Sequence, residues 1–285
     1  MSGPSPGTLA EALEARAAHP EAVPIAGGTD LMVAVNFGRL RPEALLDLSG
    51  IAELAEWQRR DGAVRIGAGA TFAQIASDLG EFPPLVQAAR AVGSPQIRHR
   101  ATIGGNLATA SPAGDALPVL ATYGGDVLLA SVRGERRLRW DEFLVAPKRT
   151  ALAEDELIVG VEWPVVDGPG SFAKVGTRNA MVIAIASVSL QLDTQARRVC
   201  IALGSVAPTV VRAPEAEAFA SDALDWDDPQ RPLPETVARE FGALAAAAAH
   251  PIDDVRGSAA YRRRAVEVLA RRALAWAVDD RRAAA

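Results

Sequence analysis

Apolar positions change their spacing several times along the chain. Thr8-Leu-Ala-Glu11 opens a stretch with apolar residues at helical spacing. A threonine followed three residues later by a glutamate suits reciprocal capping, in which the hydroxyl accepts the Glu11 amide and the carboxylate reaches back. A short helix to about Arg16 is predicted. Apolar runs at 22–26, 44–48 and 64–70 read as strands, the first ending in a glycine pair. Thr71–Leu79 returns to helical spacing with Thr71 as candidate cap, and Pro84 opens another helical stretch over Leu85–Val92. From 93 to 118 the chain is dense in Gly, Pro, Ser and Thr, and it reads as one long loop. A loop of that length in a compact chain is usually functional or disordered. Val127–Val132 and Leu157–Trp163 read as strands again.

Pro164-Val-Val-Asp-Gly-Pro-Gly170 is the clearest linker signal. Beyond it, Ile183–Leu192 and Arg198–Val206 are rich in β-branched and apolar residues, and Asp193–Ala196 supplies the turn of a hairpin. Helical stretches follow at Pro214–Ala220, Pro234–Ala249 and Ser258–Val278. A hairpin followed by helices predicts a small α+β domain. The domain boundary is expected within 164–170, and no internal repeat is visible.

Composition narrows the chemistry. With 285 residues, 49% of them hydrophobic, the chain has material for a sizeable core in one large or two smaller domains. A net charge of -5 gives no electrostatic reason for a nucleic-acid partner. The arginines of 262–272 read as a solvated helix face. Cys200 is the single cysteine, so no disulfide forms within the chain. An iron–sulfur cluster takes four thiolates, or two with two histidines, and one cysteine with His19, His99 and His250 does not suffice. The same count excludes structural zinc. Residues 1–7 have no basic segment followed by an apolar run, and the alanine run at 245–249 is too short to span a membrane. A cytoplasmic protein with no membrane span is expected.

Two glycine-rich segments carry the candidate chemistry. The first runs Pro24, Ile25, Ala26, Gly27, Gly28, Thr29, Asp30, Leu31. Adjacent glycines allow positive φ and close approach of backbone to a ligand, and consecutive amides in such a turn suit phosphate oxygens. Gly-Gly-Thr-Asp is equally a good helix start, with Thr29 or Asp30 as cap. The second runs from Thr102 and Ile103 through Gly104-Gly105-Asn106 to Thr109, Ser111 and Asp115. It offers the amides of 104–106, three hydroxyls, and a carboxylate suited to ribose or polyol hydroxyls. Two such segments fit a dinucleotide better than a mononucleotide. Neither matches the Rossmann or the Walker pattern, so this is a nucleotide site of another design or two unrelated loops.

Together, in this order, the two segments resemble the FAD-binding medium subunit of molybdenum hydroxylases of the xanthine dehydrogenase and carbon monoxide dehydrogenase type. Ala26–Leu31 and Thr102–Asp115 carry the family's two motifs nearly complete. Gly67-Ala-Gly-Ala-Thr71, Gln96-Ile-Arg98 and Lys174–Ile183 also look like the family. One position departs: where some eukaryotic relatives stack an aromatic on the flavin, this chain has Val92.

The resemblance implies an α+β fold. A two-part FAD-binding domain of the vanillyl-alcohol oxidase/p-cresol methylhydroxylase type would occupy residues 1–165. A smaller domain of the carbon monoxide dehydrogenase flavoprotein type, an antiparallel sheet plus helices, would occupy 170–285. It implies that Pro24–Leu31 and Thr102–Asn106 wrap the pyrophosphate of a non-covalently bound FAD. Asp115 would bond the ribityl or ribose region, Ile158 would touch the adenine or ring system, and Lys174 would lie near the isoalloxazine. From the residues alone Ile158 reads as core and Lys174 as solvated surface. The implied partners are a large molybdenum-pterin subunit, a small [2Fe–2S] subunit and an electron acceptor such as NAD, in a complex doubled by two-fold symmetry. Having no ligands for clusters of its own, the chain fits that division of labour. The rival readings are a free-standing flavin oxidoreductase of the same fold and a nucleotide-binding module that has lost its flavin.

Overall fold

The computed structural model describes residues 3–285. Helix α1 (Leu9–Ala18) begins at Thr8, whose hydroxyl accepts the Glu11 amide while the Glu11 carboxylate accepts the Thr8 amide. Strand β1 (Val23–Ile25), helix α2 (Leu31–Asn36) and strand β2 (Leu45–Asp47) follow, with β1 and β2 paired in parallel. The next elements are β3 (Trp57–Arg60), β4 (Ala63–Gly67), α3 (Phe72–Asp78) and α4 (Pro83–Ala91). Thr71 caps α3 by a second reciprocal pairing, with Gln74.

The segment expected to be one long loop instead holds α5 (Pro95–Arg98), α6 (Ile103–Thr109) and the start of α7 (Ala116–Thr122). The physical reason differs between the helices. In α6 two glycines lower the intrinsic preference, each by about 1 kcal/mol relative to alanine. The helix is nevertheless nucleated, because Thr102 accepts the Gly105 amide and the helix's own first two residues donate to Ala70 and Ala68. Every residue of α7 is buried, so it has no polar face from which a helical period can be read.

Strand β5 (Asp126–Ser131), β6 (Gly134–Arg139), the short α8 (Trp140–Phe143), the β7 (Leu144–Ala146) and β8 (Arg149–Thr150) hairpin, and β9 (Leu157–Pro164) complete this part. They build an antiparallel five-stranded sheet in the order β3-β4-β9-β5-β6. Its edges, Trp-Gln-Arg-Arg in β3 and Gly-Glu-Arg-Arg-Leu-Arg in β6, are almost wholly exposed. Neither is legible in the sequence, because an exposed edge carries no apolar alternation, and its charges discourage pairing with other chains. One sheet face packs Leu128, Ala130, Leu157 and Val159 against α1 and β2 residues such as Ala12 and Leu46. The other packs Val127, Leu129, Ile158 and Val161 with α3, α4, α6 and α7 residues.

After residues 165–169 come β10 (Gly170–Val175), β11 (Ala186–Asp193), β12 (Arg198–Gly204), β13 (Val211–Arg212), then α9 (Pro214–Ala223), α10 (Glu235–Ala247) and α11 (Ala259–Ala284). The four strands pair antiparallel in sequence order, and the expected 193–196 turn joins β11 to β12. Strand β10, which no apolar pattern announced, is an edge of this sheet. Helices α9–α11 cover the sheet in a separate core that includes Leu190, Ile201, Phe241 and Leu274. Helix α7 joins the two parts. Thr122 Oγ1 donates to Ser189 O at 3.1 Å, and a Cβ on Gly204 would stand 2.8 Å from the Pro118 ring. Phe172, Ala202 and Val210 from the C-terminal part accordingly belong to the first core.

Candidate functional site

The first glycine segment is a turn between β1 and α2. Gly28 has φ +73, a conformation glycine adopts without strain. Gly27 is required for a different reason: a Cβ there would stand 1.7 Å from Arg100 O. That close approach seats the first segment against the chain leading into the second. Among the described residues, the amides of Gly27, Gly28, Thr29, Asp30 and Leu31 donate to nothing within the chain. Five consecutive free amides in a turn form a concavity for anionic oxygens. Asp30 stands at the cap position of α2, but its carboxylate makes no capping bond. Asp30 Oδ2 instead lies 3.5 Å from Thr109 Oγ1 at the far end of α6, which ties the two segments together. Pro24, Ile25 and Ala26 are half-buried, and α2, although Leu-Met-Val-Ala-Val-Asn in sequence, buries no residue fully.

The second segment corrects one expectation. The amides of 103–106 are not bare. Ile103 N donates to Ala70 O, Gly104 N to Ala68 O, Gly105 N to Thr102 Oγ1 and Asn106 N to Thr102 O. Gly104 is pressed on Ala68, so that a Cβ would meet it at 2.6 Å. Gly105 is different: it is exposed, its φ is helical, and a Cβ would meet only Thr102 Oγ1, at 3.2 Å. Its bare Cα therefore leaves an open surface for a ligand to lie on, and the segment contributes shape more than donors. Ser111 Oγ accepts the Ala113 amide.

Acceptors lie further along. Asn106 Oδ1 and Asp115 Oδ1 are both buried without a hydrogen-bond partner. A buried acceptor left alone is costly, so two in one neighbourhood call for donors from outside the chain. Asp115 Oδ2 is 2.6 Å from Lys174 Nζ, and only about a tenth of either side chain is exposed. Burial pushes the Asp115 carboxyl upward, and the charge and hydrogen bond of Lys174 oppose the rise. Lys174 Nζ also donates to Ala91 O at 2.9 Å and Val182 O at 3.1 Å. Lys174 is thus buried at the junction of the two parts, not solvated. No local signal announces this pairing, which spans 59 residues of chain.

Ile158 is 8% exposed and faces the first core from β9. Val92 ends α4, packs partly against that core, and accepts Arg98 through its carbonyl. The histidines do not converge: His19 closes α1, His99 closes α5, and His250 follows α10.

A turn of five free amides, an open glycine surface and two orphaned buried oxygens together suit a ligand with anionic oxygens and hydroxyl donors. FAD, with its pyrophosphate and polyol chain, meets that description. Comparison with known proteins agrees. The family model for the FAD binding domain in molybdopterin dehydrogenase matches residues 4–166, and that for the CO dehydrogenase flavoprotein C-terminal domain matches residues 171–277. The chain is 32% identical over 281 residues to the nicotine 6-hydroxylase medium subunit of Paenarthrobacter nicotinovorans, covering 95% of this chain and 94% of that one. It is 34% identical over 184 residues to the nicotinate dehydrogenase FAD-subunit of Eubacterium barkeri, a match spanning 62% of that subunit's length. A solved chain of quinoline 2-oxidoreductase from Pseudomonas putida 86 matches with a TM-score of 0.90 at 26% identity, over 99% of this chain and 98% of that one. This chain belongs to the family of FAD-binding medium subunits of molybdenum hydroxylases, oxidoreductases of the xanthine dehydrogenase and carbon monoxide dehydrogenase type.

Proposed function

We propose that this chain holds one non-covalent FAD and passes electrons from the [2Fe–2S] clusters of a small partner subunit to NAD or another acceptor. A large molybdenum-pterin subunit would oxidise the substrate, in a cytoplasmic complex doubled by two-fold symmetry. When bound, FAD supplies the redox chemistry, and the chain supplies binding, orientation and electrostatics. The observation that carries this reading is the run of free amides from Gly27 to Leu31, in a segment tied to α6 by the Asp30–Thr109 contact.

In this reading the amides of 27–31 receive the pyrophosphate while Pro24, Ile25 and Ala26 pack beside it. Gly104 and Gly105 keep the opposite wall low, Ile103 anchors it, and Thr102, Thr109 and Ser111 line it with hydroxyls. Asn106 and Asp115 accept from ribose or ribityl hydroxyls, and Ile158 and Lys174 border the site. The fold type is that of the vanillyl-alcohol oxidase/p-cresol methylhydroxylase FAD domain over 1–165, followed by the smaller domain over 170–285.

The experiment is acid precipitation of the purified full chain. All yellow colour is expected in the supernatant, as FAD. Colour retained in the pellet contradicts non-covalent binding, and a colourless preparation that takes up no added FAD contradicts the flavin reading.

A further inference from the structure

We propose that the exposed corner formed by Lys148 and Arg149 is the rim at which an electron acceptor meets the reduced flavin, and that its two cations select an acceptor carrying negative charge. The proposal rests on the FAD reading of the site and deepens it by naming the acceptor's charge. Lys148 fills the turn of the β7–β8 hairpin, and β8 packs beside α6. Lys148 N donates to Ala110 O at 2.9 Å, and Ala110 lies between Thr109 and Ser111 of the second glycine segment. The corner is thereby fastened to the wall of the proposed flavin site.

Ala110 has φ +42 and Lys148 φ +58, so this hydrogen bond joins two non-glycine residues in the left-handed region. Glycine or asparagine takes such a turn position with less strain. A lysine there carries strain that folding alone does not call for, and strain of this kind collects at functional sites. Only two of the chain's 30 lysine and arginine residues are lysine, Lys148 and Lys174. Both lie beside the second glycine segment, Lys174 through Asp115 and Lys148 through Ala110. Lysine presents a compact point charge on a flexible stem, where arginine presents a planar fork. Lys174 is buried and ion-paired, whereas Lys148 and Arg149 are exposed, and among the described residues neither pairs with a carboxylate. The acidic residues flanking the hairpin at 141, 142, 155 and 156 are already engaged, by Arg139, Arg133 and Arg136. Two uncompensated cations at the mouth of a site raise the local concentration of anions and speed their arrival, to an extent that salt screens.

The test is reoxidation of photoreduced flavin in the FAD-loaded full-length chain, followed by stopped-flow absorbance without oxygen. The two-electron-reduced flavin gives one electron to each of two ferricyanide ions and releases two protons. Benzoquinone instead takes both electrons and both protons and leaves as benzene-1,4-diol. The double variant Lys148→Asn/Arg149→Gln removes both charges, and asparagine tolerates the left-handed turn. With ferricyanide it should react roughly fivefold to tenfold more slowly than the native chain at about 10 mM salt, and within about twofold of it at about 0.5 M. With neutral benzoquinone the two chains should agree within about twofold at either salt. Arg239→Glu, on helix α10, changes the net charge equally and should leave both rates unchanged. Lys148→Arg should keep the native ferricyanide rate. Equal slowing with both oxidants, or a ferricyanide rate equal to the native one, overturns the proposal. So does a raised Kd for FAD in the double variant, which assigns the cations to the flavin's own pyrophosphate. A native chain that binds no FAD removes the site reading instead, so the two failures are distinguishable.

Discussion

At the scale of single residues, neighbouring glycines have opposite reasons to be glycine. Gly27 faces inward, against a backbone carbonyl that a Cβ would overlap at 1.7 Å. Gly27→Ala must push the two segments apart, at about 1–3 kcal/mol for overpacking of this kind. A Tm lower by several degrees and loss of bound flavin are expected together. Gly105 faces outward in a helical conformation, where a Cβ would meet only the Thr102 hydroxyl, at 3.2 Å. Gly105→Val should leave the Tm unchanged or slightly higher, since valine is the better helix former by a few tenths of a kcal/mol. Its flavin content should nevertheless fall by roughly tenfold or more, equivalent to about 1.4 kcal/mol of lost affinity. Flavin-to-protein absorbance ratios and thermal melts check both variants. Near-normal flavin in Gly105→Val would place the ligand elsewhere.

At the scale of elements, α2 and α6 are built on different principles, although a glycine pair precedes the one and opens the other. Helix α6 is bolted down: Thr102 caps it, and Ile103 and Gly104 donate to the 68–70 segment. Helix α2 has no capping side chain and no fully buried residue, and the five amides around its start are free. Elements with few buried contacts open at low free energy and gain most from a ligand. Hydrogen exchange should therefore be fast at 27–31 in flavin-free protein. It should slow by roughly tenfold when FAD is supplied at about ten times its Kd. The amides of 103–106, already bonded internally, should change far less. Equal protection of the two segments would contradict this division between a rigid wall and a ligand-ordered one.

At the scale of the whole molecule, α7 and the Asp115–Lys174 pair make the C-terminal part a structural component of the proposed flavin site, not an appendage. Lys174 comes from β10, whereas Ala91 and Asp115 come from the FAD-binding part. The chain has one cysteine and three histidines, too few to ligate an iron–sulfur cluster. Co-expression with the chains encoded beside it should yield a complex with a cysteine-rich small subunit and a molybdenum-containing large subunit on size exclusion. The isolated chain should turn over no organic substrate. A chain that elutes alone and oxidises an organic substrate would favour the free-standing oxidoreductase.

The sequence by itself determined what depends on near neighbours. Thr8 with Glu11 is a reciprocal cap complete within four residues and is present as read; Thr71 caps α3 as read, and the structure adds Gln74 as its reciprocal partner. Strands β5, β9 and β12 declared themselves by apolar runs, and β11 by apolar residues alternating with polar ones. The motif residues Ala26–Leu31 and Thr102–Asp115 were enough to place the chain in its family. Only the tertiary structure decided the rest. Edge strands β3, β6 and β10 are defined by the partner they pair with, not by a pattern of their own. Helix α7 has no polar face because it is enclosed on all sides. The amides of Ile103 and Gly104 are engaged because the 68–70 segment lies against them, and Gly27 must lack a side chain because Arg100 O reaches it. Lys174 looked like a surface cation until the packing of two sheets around α7 brought it to Asp115. Capping and apolar runs are properties of short stretches of chain. Which atoms meet across a junction depends on how whole layers pack, and no local signal carries that.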